Sequence, residues 1–478
     1  MNFQIIRYIL GSVLKIMAAL LLLPVITAII YKESEGIIYL AVALCTLLVG
    51  FILTFKKPEN FKMYLKDGCV ATALSWLVMS MVGALPFCLT GEIPFYVDAL
   101  FETVSGFTTT GSSILTEVES LSHTALIWRS FTHWIGGMGV LVFLLAVIPM
   151  TGGSNMNLMK AESPGPSVGK LVPKVRQTAR ILYIIYILLT FTEFLFLVIG
   201  RLPIFDAMCM TFGTAGTGGF GVKNDSAMSY TAYQQWVLTI FMLLFGVNFN
   251  FYYFLLLKKT KLALKMGEVK CYFGIVLATI TIITLDNLRL FSNALTSLRH
   301  SSFQVATIIT TTGFASQDFD KWSSLSKTLL VLLMFCGACA GSTGGGVKVS
   351  RVMIGFKTWK NEMQSFIHPK SIRHIKYDGK PLDKTVEHSV ARYFITYLTI
   401  FIISLVFISF EGKDLITNFT AVAATLNNIG PGLNIVGPTG NYSSFNVFSK
   451  FVFIFDMLAG RLELYPMLLI FHPSVWRK

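Results

Sequence analysis

Four short stretches of the chain share a residue order suited to one kind of chemistry. They read Thr108-Thr109-Thr110-Gly111-Ser112, Ala215-Gly216-Thr217-Gly218-Gly219, Thr310-Thr311-Thr312-Gly313-Phe314 and Asn427-Asn428-Ile429-Gly430-Pro431. Three contain Thr-Gly, which sets Gly111, Gly218 and Gly313 in one register, with Gly430 as the fourth. A cation leaving water must exchange its hydration shell for other oxygens, and backbone carbonyls from several strands around an axis can supply them. Pointing successive carbonyls inward needs unusual backbone angles, which glycine reaches readily. The candidate ligands are Thr109, Thr110 and Gly111; Gly216, Thr217 and Gly218; Thr311, Thr312 and Gly313; and Asn428, Ile429 and Gly430. One such turn alone reads equally well as a glycine-rich surface turn. Four in register on one side of a membrane do not.

These turns must be held by something. Each follows a short amphipathic segment, too short to span a bilayer, opened by a helix-capping residue: Asp98, Asp206, Asn293 and Asp414. A half-helix aims its negative C-terminal end at whatever lies beyond it. Irregular backbone at membrane depth is tolerated only where it is covered by protein or lines a water-filled cavity. The surrounding chain is of the membrane class: 478 residues, 54% hydrophobic and 13% charged, against the ~25% charged of soluble domains. Apolar runs of spanning length fall near 7–30, 37–55, 69–89, 124–149, 180–200, 234–257, 271–288, 327–354, 391–410 and 447–471. The first follows Arg7 and reads as a retained span, with a cleaved signal segment as the lesser reading.

Charge follows the same layout. The net charge is +14. Lys and Arg concentrate in 56–66, 160–180, 258–270 and 348–392, while the connections between them hold few. By the positive-inside rule the basic loops and both termini are cytoplasmic, so the charge marks topology and lipid contact, not a nucleic-acid footprint. Span, long external loop and span recur four times with a period of about 100 residues.

A second stretch stands out below these turns. Cys336-Gly337-Ala338-Cys339-Ala340-Gly341-Ser342-Thr343-Gly344-Gly345-Gly346 interrupts the last span of the third repeat, and so many Gly and Ser residues do not stay helical comfortably. It reads either as a kink packed on neighbouring helices or as an intramembrane loop. Lys348 directly follows and either guards the inner mouth or marks the membrane boundary. Arg461 lies in the last apolar run, where an arginine is costly and usually functional. His133, Glu193, Asp286, Asp456 and Glu463 are further ionisable candidates in or near spans, for ion binding or structural pairing.

At these residues the chain resembles the Trk/Ktr/HKT superfamily of potassium transporters over nearly its whole length. The likeness includes the four turns, Trp134-Ile135-Gly136-Gly137-Met138-Gly139, Gly341-Ser342-Thr343-Gly344-Gly345-Gly346, Asn427-Asn428-Ile429-Gly430-Pro431-Gly432 and Ala459-Gly460-Arg461-Leu462-Glu463. Two extra N-terminal spans make it more similar to the TrkH branch than to the shorter KtrB branch. The resemblance implies an all-α integral membrane fold: an N-terminal hairpin (1–60) and four helix–pore-loop–helix repeats (61–155, 156–262, 263–375 and 376–478) around a pseudo-fourfold pore. It implies potassium selectivity from one glycine per loop and a gate at Gly337, Gly341, Ser342, Thr343, Gly344, Gly345, Gly346, Lys348 and Arg461. It also implies a homodimer in the bacterial inner membrane and a cytoplasmic TrkA-type nucleotide-binding partner docking on 150–178, 258–270 and 348–390. Potassium is then the substrate, with no cofactor in this chain. Ile429 departs from the Thr-Gly pattern, as the equivalent loop of the TrkH branch does.

Other motifs carry no chemistry here. Gly216 to Gly221 fits G-x-G-x-x-G without the strand and βαβ unit a dinucleotide site needs. Cys336 and Cys339 form C-x-x-C outside any thioredoxin-like context, and the seven cysteines read as buried thiols. No nucleophile–base pair or metal-ligand set of an enzyme is present. Two transport readings stay open: a gated potassium pore, and a proton- or sodium-coupled potassium symporter on the same scaffold.

Overall fold

The computed structural model describes residues 1–59, 63–139, 175–291, 293–369, 374–378 and 380–476. The end of the apolar run 124–149, most of the basic segment 160–180 and the expected docking loop 150–178 lie largely outside these residues.

Among the described residues, six helices are long and apolar enough to cross a membrane: Phe3–Tyr31, Gly36–Thr54, Leu65–Thr90, Ala179–Ile199, Gly267–Arg289 and Lys384–Ser409. The first is notched between Leu20 and Leu22, just ahead of Pro24, because proline removes one intrahelical hydrogen bond and crowds the preceding turn. It folds back on Gly36–Thr54 as an N-terminal hairpin. These helices carry large apolar side chains facing outward, with Ile29 72%, Ile37 74%, Ile199 71% and Ile395 67% exposed. Such an apolar shell suits lipid and not water. The chain is a multi-pass membrane protein.

The last four long helices each open one repeat. A short pore helix follows: Tyr96–Phe107, Ile204–Gly216, Ala294–Ile309 and Leu415–Leu426. Each is buried on nearly all sides although it carries polar residues, such as Ser301, Gln304 and Thr307 in the third. Buried polar side chains need partners or a wet cavity, so these helices belong inside the bundle, not facing lipid. Asn293 and Asp414 cap their helices, accepting from Leu295 N at 3.0 Å and Thr417 N at 3.0 Å. Asp98 and Asp206 differ from the expected capping role. They lie inside the first turn, after Phe95 and Pro203, where a carboxylate still complements the positive end of the helix.

Each repeat closes with an inner helix, and here the ten apolar runs part from ten straight spans. His123–Met138 runs to the edge of the described residues. Ala232–Phe245 and Phe249–Leu256 meet at 89°. Ser324–Met334 stops after 11 residues and Val447–Arg461 after 15. The breaks have local causes: Gly246 and Asn248 in the second repeat, the glycine run in the third, and positive φ at Glu463 and Leu464 in the fourth. The breaks in the second, third and fourth inner helices leave room beside them for non-helical backbone.

The N-terminal hairpin depends on close approach. A β-carbon on Gly11 would lie 2.7 Å from Leu53 Cβ and 2.8 Å from Thr54 Cγ2, and one on Gly50 would lie 2.9 Å from Gly11 O. Small residues at a crossing let membrane helices meet backbone to backbone. Gly11→Val should therefore lower stability by about 1–3 kcal/mol, read as an earlier thermal unfolding transition of the detergent-purified protein, whereas Ile37→Val, which faces outward, should leave it unchanged.

Candidate ion-conducting site

The four pore helices end in the same turn. The amide of the second turn residue bonds the carbonyl three residues back: Thr109 N to Gly106 O at 3.1 Å, Thr217 N to Thr214 O at 2.9 Å, Thr311 N to Ile308 O at 3.1 Å and Asn428 N to Thr425 O at 3.2 Å. The next amide reaches five back: Thr110 to Ser105 at 2.9 Å, Gly218 to Gly213 at 2.8 Å, Thr312 to Thr307 at 2.8 Å and Ile429 to Ala424 at 2.8 Å. Thr109, Thr217, Thr311 and Asn428 are left-handed, with φ of 55°, 55°, 59° and 55°. A β-branched residue in that region is strained, and such strain clusters at functional sites.

This pattern fixes the register and moves one residue. The fourth turn position is glycine with positive φ in every repeat: Gly111 at 79°, Gly219 at 84°, Gly313 at 90° and Gly430 at 94°. Gly219, not Gly218, aligns with Gly111. The Thr-Gly pair of the second repeat is offset by one from those of the first and third. Gly218 takes the place of Thr110, Thr312 and Ile429.

The same glycines close the ring. A β-carbon on Gly111 would lie 2.0 Å from Gly218 O, on Gly219 2.1 Å from Thr312 O, on Gly313 2.2 Å from Ile429 O, and on Gly430 2.7 Å from Thr110 O. Each turn thus touches the next in the order one, two, three, four and back to one. Above the ring a cavity of about 170 Å³ is lined by Gly111, Gly219, Gly313 and Gly430, with Arg129 and Tyr442 at its side.

What stands behind the strands differs between repeats. In the first and third, the hydroxyls of Thr108 and Thr110, and of Thr310 and Thr312, share bonds of 2.8 and 2.7 Å. In the second, glycine occupies both positions and the His133 imidazole fills the space. A β-carbon on Gly218 would lie 2.1 Å from His133 Cγ. His133 Nδ1 lies 2.8 Å from Gly106 O and Nε2 accepts from Phe220 N at 3.1 Å. Both ring nitrogens are engaged by backbone, so His133 is a brace between the first and second turns. In the fourth repeat, Asn428 Nδ2 donates to Thr110 Oγ1 at 3.0 Å and Met457 O at 2.8 Å, while Asn427 Nδ2 donates to Tyr397 OH at 2.7 Å.

A buried ion pair that composition and spacing did not single out sits beside the mouth. Arg129 Nε donates to Glu102 Oε1 at 2.6 Å, with Arg129 4% and Glu102 1% exposed. Glu102 also accepts from Ser113 Oγ and Ile114 N at 3.0 Å each, and Arg129 Nη1 donates to Gly221 O at 3.0 Å. The pair ties the strand leaving the first turn to the strand leaving the second. The signal available in sequence was charge inside apolar helical segments.

The glycine-rich stretch of the third repeat is an ordered loop tucked under the ring. Between the helices Ser324–Met334 and Val349–Ile367, residues 336–348 are buried except Gly341. Gly345 N donates to Thr311 Oγ1 at 2.7 Å. A β-carbon on Gly344 would lie 3.0 Å from Thr310 O and one on Gly345 2.7 Å from Asn428 Cβ. The loop therefore sits against the undersides of the third and fourth turns. Gly337, Gly341, Gly346 and Lys348 all have positive φ. Lys348 Nζ folds back onto Gly344 O and donates to Gly345 O at 2.9 Å. Arg461, the last residue of its helix, donates to Thr343 O at 2.7 Å and to Gly136 O and Gly137 O at 2.5 and 3.0 Å. It pins the loop to the end of the first inner helix. The loop also notches the second inner helix at its 89° break, where Phe249 N donates to Gly341 O at 3.0 Å and Cys339 N to Gly246 O at 3.1 Å.

The remaining candidates lie apart from the ring. Asp286 accepts from Ser323 and Ser326 at the start of the third inner helix. Glu463 pairs with Arg351. Glu193 and Asp456 are fully buried in the spans. The seven cysteines are free thiols; Cys45 is exposed and Cys88 and Cys271 half-buried.

Known proteins share this architecture. Residues 37–478 match the family model TrkH, described as a cation transport protein. The Trk system potassium uptake protein TrkH of Salmonella typhimurium is 34% identical over 486 residues, covering 100% of both chains. The protein of the same name in Escherichia coli K12 is 33% identical with the same coverage. The crystal structure of the potassium transporter TrkH from Vibrio parahaemolyticus superposes with a TM-score of 0.90 at 29% identity, again over 100% of both chains. With a family model matching residues 37–478 and relatives 33–34% identical over the whole chain, the chain belongs to the TrkH family of cation transport proteins and is a transporter, not an enzyme.

Proposed function

We propose that this chain takes up potassium through a gated pore, and that the ring of four glycine turns is its selectivity filter. The observation that carries this reading is the closed ring itself. Four positive-φ glycines each abut the carbonyl of the next turn, a spacing that gathers carbonyl oxygens around one axis, and carbonyl rings replace the hydration shell of potassium. The relatives named as potassium uptake proteins support the choice of ion. Filter ligands in this reading are Thr109, Thr110, Gly111, Gly216, Thr217, Gly218, Thr311, Thr312, Gly313, Asn428, Ile429 and Gly430, with Gly219 added as the aligned glycine of the second repeat.

The gate in this reading is Gly337, Gly341 to Gly346, Lys348 and Arg461. Support comes from the loop's seat beneath the filter and from the two cations held there by carbonyls. A cation leaving the filter downward would meet backbone and positive charge. Opening requires the Arg461–Thr343 tie to part and the loop to move aside. The membrane is then the bacterial inner membrane with both termini cytoplasmic, the assembly a homodimer, and the regulator a TrkA-type nucleotide-binding subunit on the basic face. The relatives' naming as members of a Trk system supports a multi-component machine.

One observation favours coupled symport as a second reading. Asp456 is fully buried and accepts from Ser404 Oγ at 2.7 Å on one oxygen only, and a buried carboxylate of this kind is a candidate proton or cation carrier. Proteoliposomes settle the choice. Uptake of potassium and rubidium well above sodium and lithium, with a reversal potential that tracks the potassium gradient alone, supports the pore; a reversal potential that shifts with pH or sodium supports symport. Equal uptake of all four ions rejects the filter assignment.

The ring makes a graded prediction. Gly111→Ser forces a side chain into Gly218 O at 2.0 Å, whereas Gly430→Ser meets Thr110 O at 2.7 Å. Both should lower the potassium-to-sodium permeability ratio, Gly111→Ser by about tenfold or more and Gly430→Ser by less, since tenfold corresponds to ~1.4 kcal/mol of lost discrimination. Ratios measured from bi-ionic reversal potentials that come out unchanged for Gly111→Ser would remove Gly111 from the filter.

A further inference from the structure

One carboxylate holds both ends of the loop beneath the ring, and it belongs to neither the filter nor the loop. Glu268 is the second residue of the helix Gly267–Asp286 and is 2% exposed. Its Oε1 accepts from Ala340 N at 2.6 Å and from Ser350 N at 3.2 Å. Ala340 lies in the first limb of the loop and Ser350 in the first turn of the helix that leaves it. The Asn248 side chain, at the break of the second inner helix, faces the same carboxylate. So does the hydroxyl of Tyr377.

Tyr377 belongs to a small surface hairpin, Lys376–Tyr377 paired antiparallel with Lys380–Pro381. This hairpin touches the two helices that frame the loop. Asp378 Oδ1 accepts from Gly267 N at 2.7 Å, at the start of the helix that carries Glu268. Lys357 Nζ, on the helix that leaves the loop, donates to Lys376 O at 2.9 Å. A continuous set of contacts thus runs from a surface hairpin, through one buried carboxylate, to one amide of the loop and one of the helix that leaves it.

We infer that Glu268 is a positioning residue that latches the gate loop shut, and that the hairpin bearing Tyr377 and Asp378 is the handle by which a contact on the basic face releases it. The inference rests on the reading of 336–348 as a gate. Glu268 does not line the cavity above the ring; it acts through Ala340 and Ser350. Hydrogen bonds from backbone amides to a charged carboxylate are strong, and breaking both shifts a closed–open equilibrium by tenfold or more. A carboxylate that merely braced the fold would affect stability and leave closed-state leak alone.

The test uses the full chain in proteoliposomes without any soluble partner. Glu268→Ala and the surface variant Asp378→Ala should each raise rubidium influx, Glu268→Ala by about tenfold, the change expected for losing hydrogen bonds to a charged group, while the rubidium-to-sodium ratio stays that of the parent protein. A second readout follows the loop directly. Cys339 is 0% exposed. In a chain whose other six cysteines are serine, its labelling by N-ethylmaleimide should quicken in both variants. A chain lacking residues 343–345 serves as the reference for an open loop. If that deletion raises influx while neither variant changes influx or labelling, the latch is overturned and the gate stands. If the deletion also leaves influx unchanged, the gate reading fails and the latch with it.

Discussion

Backbone meets backbone four times around the axis of this protein. At Gly111, Gly219, Gly313 and Gly430 there is no room for a single methyl group between one turn and the carbonyl of the next. The spacing of the carbonyls is therefore set by main-chain van der Waals contact, not by side chains that could relax. Much of the molecule serves that contact. The pore helices must end together at one depth, the inner helices must pack close enough to support them, and the strands leaving the turns must be tied sideways. His133 and the Arg129–Glu102 pair do the last of these between the first and second turns, and Asn428 does it between the fourth and the first. Removing one member of the Arg129–Glu102 pair would leave a buried charge unmatched, which costs far more than the pair contributes intact.

The supporting shell is not fourfold, although the backbone is. Threonine hydroxyl pairs stand behind the first and third strands, an imidazole behind the second, and amides beside the fourth. The backbone bonds of the four turns repeat within a few tenths of an ångström all the same. The local turn, fixed by the i−3 and i−5 bonds, is what repeats. What fills the space behind it is free to vary as long as the volume is right.

The four turns, the pore helices, the broken third inner helix and the placement of Arg461 beside the loop were legible in the residues, because each leaves a compositional trace: glycine after threonine, a glycine run inside an apolar span, an arginine where lipid would exclude it. The offset of Gly219 was not legible. Thr217-Gly218 looks like Thr110-Gly111, and only the hydrogen-bond register separates them, since Gly218 is glycine for a different reason, the His133 ring behind it. The 89° break at Gly246–Asn248 was hidden for a related reason. One glycine and one asparagine in an apolar run do not announce a corner. The corner exists because the loop of another repeat donates and accepts the hydrogen bonds that the helix gives up there. Roles carried by tertiary partners, such as those of Glu102 and Glu268, leave only a charge in an apolar segment as their trace.

The charges under the ring fit the proposal that this loop is stable when closed and can still move. Lys348 and Arg461 are satisfied mainly by carbonyl oxygens of the loop and of the first inner helix, while Arg351 takes Glu463. A carbonyl offers a lone pair without a countercharge, so the region stays net positive while its donors remain bonded. Replacing those carbonyls with water during loop movement costs little, because the exchange is of one neutral acceptor for another. Separating two carboxylate ion pairs in the same place would be far harder in a low dielectric. Glu268, a carboxylate that holds the loop, binds backbone amides, so its proposed release is again an exchange with water. In the proposed reading of this loop as a gate, carbonyls, amides and glycine let it be dense with hydrogen bonds and still within reach of the modest energy of a contact on the surface hairpin.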